Sequence, residues 1–310
     1  MKIIRTFDQL ATGAHDVHLA IGVFDGVHRG HQRVIGQALA DARQAGGTAA
    51  VLTFDPHPAR ILRPDKAPLL LTSTDHKLRL IDQLGVDLCL LLNFDKPFSE
   101  IPAVAFLETL LANTNRLREI CVGTRFRFGH DRLGDVRLIE QFAASHGFTA
   151  REIESVKLDN EIISSTAVRQ HVVQGHLDQA AAMLGRPYSI LGTVQKGDAV
   201  GHQLGFPTAN LDPHNEAFPP DGVYAARAII GTETFGSVLN LGRRPSFEGR
   251  SHQRILEVHI LDFDRELYGQ ELEVVFLQKL RDEQKFATLD ALKAQIAADL
   301  QAARALLRKP

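Results

Sequence analysis

The stretch Ile21-Gly22-Val23-Phe24-Asp25-Gly26-Val27-His28-Arg29-Gly30-His31 decides how the first half of the chain folds. It closes an apolar run of strand length, Val17–Phe24. Beyond it, Val34, Ile35, Ala38, Leu39 and Ala42 recur at helical spacing and predict a helix over His31–Gln44. Gly22, Gly26 and Gly30 let backbone approach a ligand closely. The helix start adds unpaired N–H groups and a positive dipole end, which suit a phosphate. His28 and His31 flank the turn and can donate to phosphate oxygens as charge develops in a transition state. An isolated H-x-G-H string is equally well a glycine turn with two surface histidines. The strand before it and the helix after it favour the phosphate reading. It is not a Walker A loop, because the G-K-[ST] ending is absent.

Strand–helix alternation continues outward from this turn. Ala49–Phe54, Val86–Leu92, Glu119–Val122 and Thr149–Val156 read as strands, and His76–Leu84, Ile101–Leu111 and Val136–His146 as helices. The nearly unbroken apolar run of Val86–Leu92 is that of a strand covered on both faces. Such alternation builds a parallel sheet with right-handed crossovers, and ligands bind beyond the carboxyl ends of its strands. The second half begins near Gly185-Arg186-Pro187. Tyr188–Gln195, Val223–Ile230, Thr234–Leu241, Ile255–Leu261 and Leu272–Leu277 are closely spaced strands without intervening helices, which predicts a small antiparallel barrel or sandwich. The tail Leu289–Leu307 reads as one amphipathic helix, with Thr288 as N-cap and Asp290 in its first turn. It is expected to pack on the barrel rather than await a partner.

Composition narrows the field. The chain has 310 residues, enough for about two domains at ~100–200 residues each. Lys and Arg total 35 against 37 Asp and Glu, so a net charge of −2 argues against a broad footprint for duplex nucleic acid. No apolar run approaches the ~20 residues of a membrane helix. Lys2, Arg5 and Asp8 make Met1–Leu10 a poor signal peptide, so a cytoplasmic location is expected. Two cysteines, Cys89 and Cys121, each in an apolar stretch, argue against a disulfide scaffold and a zinc cluster.

Two further strings carry chemistry. Ile163-Ser164-Ser165-Thr166-Ala167-Val168-Arg169 places hydroxyls before a helix and Arg169 one turn inside it. Alone it is an N-cap; after a mononucleotide-type fold it becomes a second phosphate clamp, with Arg169 neutralising triphosphate charge. In the second half, Gly192, Gly197, Gly201 and Gly205 read as a flexible cover over nucleotide phosphates, followed by Phe206-Pro207-Thr208-Ala209-Asn210. If extended, Thr208 and Asn210 share a face and offer oxygens to one Mg2+. Glu257 and His259 share a face of Leu256–Leu261, opposite Leu256, Val258 and Ile260.

The H-x-G-H and I-S-S-T-x-x-R strings together resemble the pair found in the nucleotidylyltransferase superfamily. The fuller Gly22–His31 string is similar to that of bacterial bifunctional riboflavin kinase/FAD synthetases. Thr53-Phe54-Asp55-Pro56-His57-Pro58 and Val122–Gly129, containing Phe126-Arg127-Phe128-Gly129, also resemble that family. So do Leu204–Asn210, the L-E-V-H strand, Gly222-Val223-Tyr224-Ala225, Leu267-Tyr268-Gly269 and Leu280–Phe286. The resemblance runs in order over nearly the whole chain.

It implies a nucleotidylyltransferase domain over 1–184 and a riboflavin kinase barrel over 185–310. In the first, Gly22, Phe24, Asp25, Gly26, Gly30, Ser164, Ser165, Thr166 and Arg169 would bind ATP, with His28 and His31 catalytic. Phe54, Pro56, His57, Pro58, Arg125, Phe126 and Phe128 would bind flavin, although phenylalanine at strand ends is more often plain core. In the barrel, Gly192, Lys196, Gly197, Gly201, Gly205 and Pro207 would bind ATP, and Thr208 and Asn210 a metal. Glu257 would be the catalytic base, and Arg281, Glu283 and Phe286 a flap on the flavin. Three departures stand out. Arg125 replaces a short Asn or Asp, Arg243 replaces Thr in N-x-G-T-x-P, and His202 sits where the family often has Arg.

The implied activity is phosphorylation of riboflavin to FMN and adenylylation of FMN to FAD. The implied partners are riboflavin, FMN, ATP and Mg2+, with FMN or FAD staying bound as products, and with neither nucleic acid nor membrane. Oligomeric state is not readable. An H-x-G-H adenylyltransferase for another substrate leaves Leu204–Asn210 and Glu257 unexplained. A flavin- or nucleotide-sensing protein, binding RNA through its barrel, is disfavoured by the near-neutral charge.

Overall fold

In the computed structural model, residues 1–12, 15–196, 205–243 and 254–308 are described. They form two compact units, one of residues 1–69 and 74–167, the other of 70–73 and 168–310.

The first unit is built on a six-stranded parallel sheet. Its strands are β1 (Lys2–Ile4), β2 (Val17–Ile21), β3 (Thr48–Asp55), β4 (Leu88–Asn93), β5 (Leu117–Gly123) and β6 (Thr149–Ile153), in the order β1-β4-β3-β2-β5-β6. The principal crossover helices are α1 (Arg29–Ala45), α3 (Thr74–Asp82), α5 (Ala103–Ala112) and α6 (Val136–His146), with short α2 (Pro58–Leu62) and α4 (Lys96–Ser99) between them. The pleat sorts the strand residues between two cores. Ala20, Val51, Cys89, Leu91 and Cys121 meet Val34, Ile35 and Ala38 of α1 and Ile81 of α3. Leu19, Ile21, Leu52, Leu90, Ile120 and Val122 meet Leu107 and Leu110 of α5 and Ile139 of α6. Both cysteines are therefore free and buried on one face, and burial pushes the Cys89 thiol up to about 12.

β2 is the pivot of the topology. The chain leaves it for β3 on one side and returns to place β5 on the other. A crevice opens beyond the carboxyl ends at such a switch point. β2 ends at Ile21, three residues before the predicted Phe24, because the backbone turns there: Phe24, Gly26 and Val27 adopt φ of 55°, 80° and 41°. β1 is a short edge strand with too few residues to show a period. The predicted strand from Thr149 ends at Ile153, and a two-residue hairpin follows, β7 (Lys157–Leu158) with β8 (Glu161–Ile162). Its turn residues Asp159 and Asn160 both have positive φ, the geometry of a type I′ turn.

α7 (Ser165–Gln174) and α8 (Leu177–Leu184) precede the barrel, and α8 ends on left-handed Gly185. The barrel strands are β9 (Ser189–Gln195), β10 (Ala209–Pro213), β11 (Gly222–Ile230), β12 (Glu233–Arg243), β13 (Arg254–Ile260) and β14 (Glu271–Arg281). They close in the order β10-β13-β12-β11-β14-β9, which settles barrel against sandwich. β10 was legible in the sequence only as a conditional extended segment; its pairing with both β9 and β13 closes the cylinder. Leu211, Tyr224, Leu239, Leu256, Val258, Val274 and Phe276 fill the interior.

The tail helix, α9 (Leu289–Leu307), has the predicted bounds, and Thr288 Oγ1 accepts from Ala291 N at 3.2 Å. Leu300, Ala303 and Leu307 cover Val223, Ala225 and Val238 on the outer barrel face. The segment Leu70–Ser73 belongs with the barrel: the Leu71 carbonyl accepts from Asn215 Nδ2 at 2.6 Å and the Leu70 carbonyl from Ala217 N at 2.9 Å. Among the described residues no helix is long and apolar enough to cross a membrane.

Candidate functional site

The first site lies in the turn after β2. His28 is the N-cap of α1, and its Nδ1 accepts from His31 N at 3.2 Å. That bond puts the neutral ring's proton on Nε2. The two rings stack with centroids 3.5 Å apart, and Phe24 meets His31 edge-on at 5.3 Å. His31 Nδ1 is buried without a hydrogen-bond partner. Burial, then the adjacent His28 and Lys77, hold His31 well below the usual histidine range, so it is neutral near pH 7.

The glycines here have steric work. A Cβ on Gly22 would lie 2.7 Å from the Phe24 ring, and one on Gly30 would lie 3.1 Å from the His28 ring. The clamp string meets the same turn: Ser165 Oγ donates to Asp25 O at 2.9 Å, while Ser164 Oγ caps α7 by accepting from Ala167 N at 3.2 Å. Thr166 is exposed; Arg169 lies one turn on, half-buried. The region therefore offers a helix N-terminus, two stacked histidines and a backbone turn held from its own strand and from α7, the parts of an anion cradle.

The predicted flavin-lining residues fall into two groups. Phe54 is buried, edge-on to Phe94 at 5.6 Å, and Phe126 and Phe128 stack at 5.4 Å against the same aromatic core. Phe54 is thus a core side chain, and Phe126 and Phe128 are half-buried at its margin. Pro56 follows a cis peptide, Pro58 opens α2, and His57 caps that helix through Nδ1, which accepts from Ala59 N at 3.1 Å. Arg125 is exposed. One buried charge carries no signal in the sequence. Lys77 on α3 is 6% exposed, and its Nζ donates to Phe54 O at 2.9 Å, Thr53 Oγ1 at 3.2 Å and Val23 O at 3.4 Å. In the sequence it is one cation in an amphipathic helix, with nothing to mark its burial.

The second site is assembled by strand register on the outer face of the barrel. Glu257 on β13 pairs with Asn210 on β10 and with Asn240 on β12, so the three side chains form one row. Directly opposed residues hold their Cβ atoms about 4.5–5.5 Å apart. Thr208 precedes β10 by one residue and continues the face of Asn210. His259 Nδ1 donates to Pro207 O at 2.7 Å and fastens this segment to β13. The sequence places His259 on the face of Glu257 and Asn240 at the head of the N-x-G-R-x-P string, and the register brings Asn240 beside Glu257. These oxygen donors suit a hard divalent cation such as Mg2+. Among the described residues one other cluster has metal-ligand chemistry, Asp41 with Glu119 and Cys121. There Arg151 Nε lies 2.8 Å from Glu119 and His18 Nδ1 lies 3.2 Å from it, so side chains already answer the carboxylate.

The other kinase-side residues are placed as follows. Gly192 is not part of a cover: it lies inside β9, where a Cβ would collide with Asp212 O. Its glycine serves the close approach of β9 and β10. Gly205 has φ of 86° and leads into the Pro207–Asn210 segment. Exposed Lys196 lies 5.9 Å from the Tyr268 ring. Gly197, Gly201, His202 and Leu204 lie outside the described residues, as does the side chain of Arg243. Arg281 is committed to α9: its Nε and Nη2 donate to buried Asp299 at 2.9–3.0 Å, with Phe286 5.8 Å beneath its guanidinium. The Glu283 carboxylate lies over Gly242, where any Cβ would collide with it.

Comparison with known proteins matches each half separately. Residues 11–167 match the FAD synthetase family and residues 184–307 the riboflavin kinase family. Three relatives are each named bifunctional riboflavin kinase/FMN adenylyltransferase. That of Escherichia coli (strain K12) is 39% identical over 306 residues, covering 98% of this chain and 97% of its own. Those of Pseudomonas fluorescens and Bacillus subtilis are 37% and 35% identical, covering 99% and 92% of this chain and 98% and 90% of theirs. A solved structure from Streptococcus pneumoniae, titled a macrolide-efflux protein, superposes with a TM-score of 0.85 at 28% identity, covering 98% of this chain and 99% of that one. With both halves matched in order and relatives aligned from end to end, the chain belongs to the family of bifunctional riboflavin kinase/FMN adenylyltransferases.

Proposed function

We propose that this chain makes FMN from riboflavin and ATP at the barrel, and FAD from FMN and ATP at the turn after β2. The activities divide between a domain over 1–184 and one over 185–310. The observation that carries the reading is the presence of two independent site geometries in two halves matched by two families.

At the barrel, the Glu257 carboxylate accepts the proton of the ribityl 5′-hydroxyl as that oxygen attacks the γ-phosphorus of ATP, and ADP leaves. Asn240 stands beside Glu257 and orients it; His259 holds the Pro207 segment in place. Thr208 and Asn210 would hold Mg2+, which offsets phosphate charge when bound. At the turn, an FMN phosphate oxygen attacks the α-phosphorus of ATP, the bond to the bridging oxygen breaks, and pyrophosphate leaves. His28 donates from Nε2, and the α1 N-terminus stabilises the charge that gathers on the phosphoryl oxygens. Arg169 neutralises the triphosphate. Riboflavin, FMN and ATP are the small-molecule partners, and the protein works in the cytoplasm. Incubation with riboflavin, ATP and Mg2+, followed by chromatography, is expected to yield FMN and then FAD. Absence of both products from the folded protein would overturn the reading.

A further inference from the structure

Lys77 places a buried cation behind the phosphate cradle, and the cradle's chemistry does not require it to be there. An ammonium has three N–H donors, and each has an acceptor: Phe54 O, Thr53 Oγ1 and Val23 O. Thr53 Oγ1 donates in turn to Val23 O at 3.0 Å. The Val23 carbonyl is thus held twice, immediately before Phe24, a bulky residue at φ 55°. Such backbone persists only where its surroundings over-determine it. Two residues on, Ser165 fixes the Asp25 carbonyl from the opposite side of the turn.

Burying an ammonium is costly, and burial draws Lys77 below the ordinary lysine range. The carboxylates of Asp25 and Asp55 oppose that shift. An apolar side chain at this position would fill the core of α3 without the desolvation cost. Its charge also acts on His31, after burial and the adjacent His28.

We propose that Lys77 is a positioning residue for adenylyl transfer: it locks the turn between β2 and α1 in its strained form. This rests on the reading of that turn as the adenylyl-transfer site.

The test uses the full chain with Lys77→Met, which keeps length and apolar contact, and Lys77→Gln, which keeps a donor without charge. His28→Ala serves as the reference for the site itself. FMN formation from riboflavin, FAD formation from supplied FMN, and the pH profile of the latter are measured on each preparation. Misplacement of a catalytic group by about an ångström costs ~10²-fold. Lys77→Met is expected to lower kcat for FAD formation by about that factor, with FMN formation unchanged. The acidic limb is expected to move to higher pH, because loss of a cation lets His31 protonate more readily. Lys77→Gln is expected to fall between Met and wild type.

FAD formation at the wild-type rate in Lys77→Met, with an unshifted acidic limb, would overturn the proposal. Loss of the fold in both variants would overturn it as well, since the cation would then support the core rather than the turn. If His28→Ala itself leaves FAD formation intact, the site reading fails rather than the role of Lys77 within it.

Discussion

The two sites are made by different means. The turn after β2 is a backbone device: left-handed residues, glycines against which rings close, a helix N-terminus, and two histidines stacked at 3.5 Å. The barrel site is a register device. Asn210, Glu257 and Asn240 meet because three antiparallel strands pair in one alignment, and a slip of one residue would turn Glu257 into the interior. A site held by local backbone tolerates little change in the residues that shape its turn. A site held by register tolerates side-chain change but not a shift of strands.

The largest effect that sharpens this contrast is expected at Glu257. Glu257→Gln keeps size and a hydrogen-bonding oxygen but removes the proposed base, and general-base assistance is worth ~10²–10⁴ in rate. FMN formation should fall by that order while riboflavin affinity and adenylylation of supplied FMN stay unchanged. A near-normal kinase rate would remove Glu257 from the chemistry. Next is the pair His28→Ala and His31→Ala. One donor lost from a preorganised site costs ~10²–10³ in kcat, so the double variant should lose FAD formation and keep FMN formation. Retention of adenylylation would dissolve the cradle.

A smaller effect tests the backbone device. Gly22→Ala sets a methyl 2.7 Å from the Phe24 ring, and overpacking of this kind costs about 1–3 kcal/mol. Thermal melting should report a less stable first unit, whereas Gly205→Ala should leave that unit's transition untouched.

His31 adds a pH dependence. Its folded pKa lies well below the unfolded 6.5, so below pH 6.5 the unfolded state binds more protons. Stability is intact above 6.5 and declines as pH falls from there. A His31→Gln variant should lose less stability than wild type over the same fall, read by denaturant titration at pH 7.5 and 5.5. The smallest expected effect is at exposed Arg125: Arg125→Asn should weaken the salt sensitivity of FMN affinity in adenylylation. An identical salt profile would leave Arg125 in bulk solvent.

What the sequence disclosed follows the same division. The parallel sheet was legible because its strands are buried on both faces and its helices carry apolar stripes. α6 and α9 even fall at the predicted bounds. The turn was legible because its parts are contiguous in sequence. β10 was hard to see because it is only five residues long, ends in Pro213 and has one large apolar side chain, Leu211; its pairing with β9 and β13 closes the barrel. Asn240 lies 17 residues from Glu257 along the chain and is brought beside it by pairing alone. Lys77 was hidden because its acceptors come from two distant strand ends, so its burial is a tertiary fact. The glycine of β9 and the phenylalanines at strand ends show that a motif residue can also serve the packing. Gly192 sits in a motif and has a packing role in β9, and Phe54 is buried in the core.

The central proposal is that one chain holds two chemically independent sites, the FMN made at one being the substrate of the other. Complementation tests it most directly. Glu257→Gln and the His28→Ala/His31→Ala double variant are each supplied with riboflavin, ATP and Mg2+, alone and as an equimolar mixture, and FAD is quantified by chromatography. The account predicts little FAD from either variant alone, accumulation of FMN with the histidine variant, and FAD from the mixture. A mixture of folded variants that makes no more FAD than its components would contradict it.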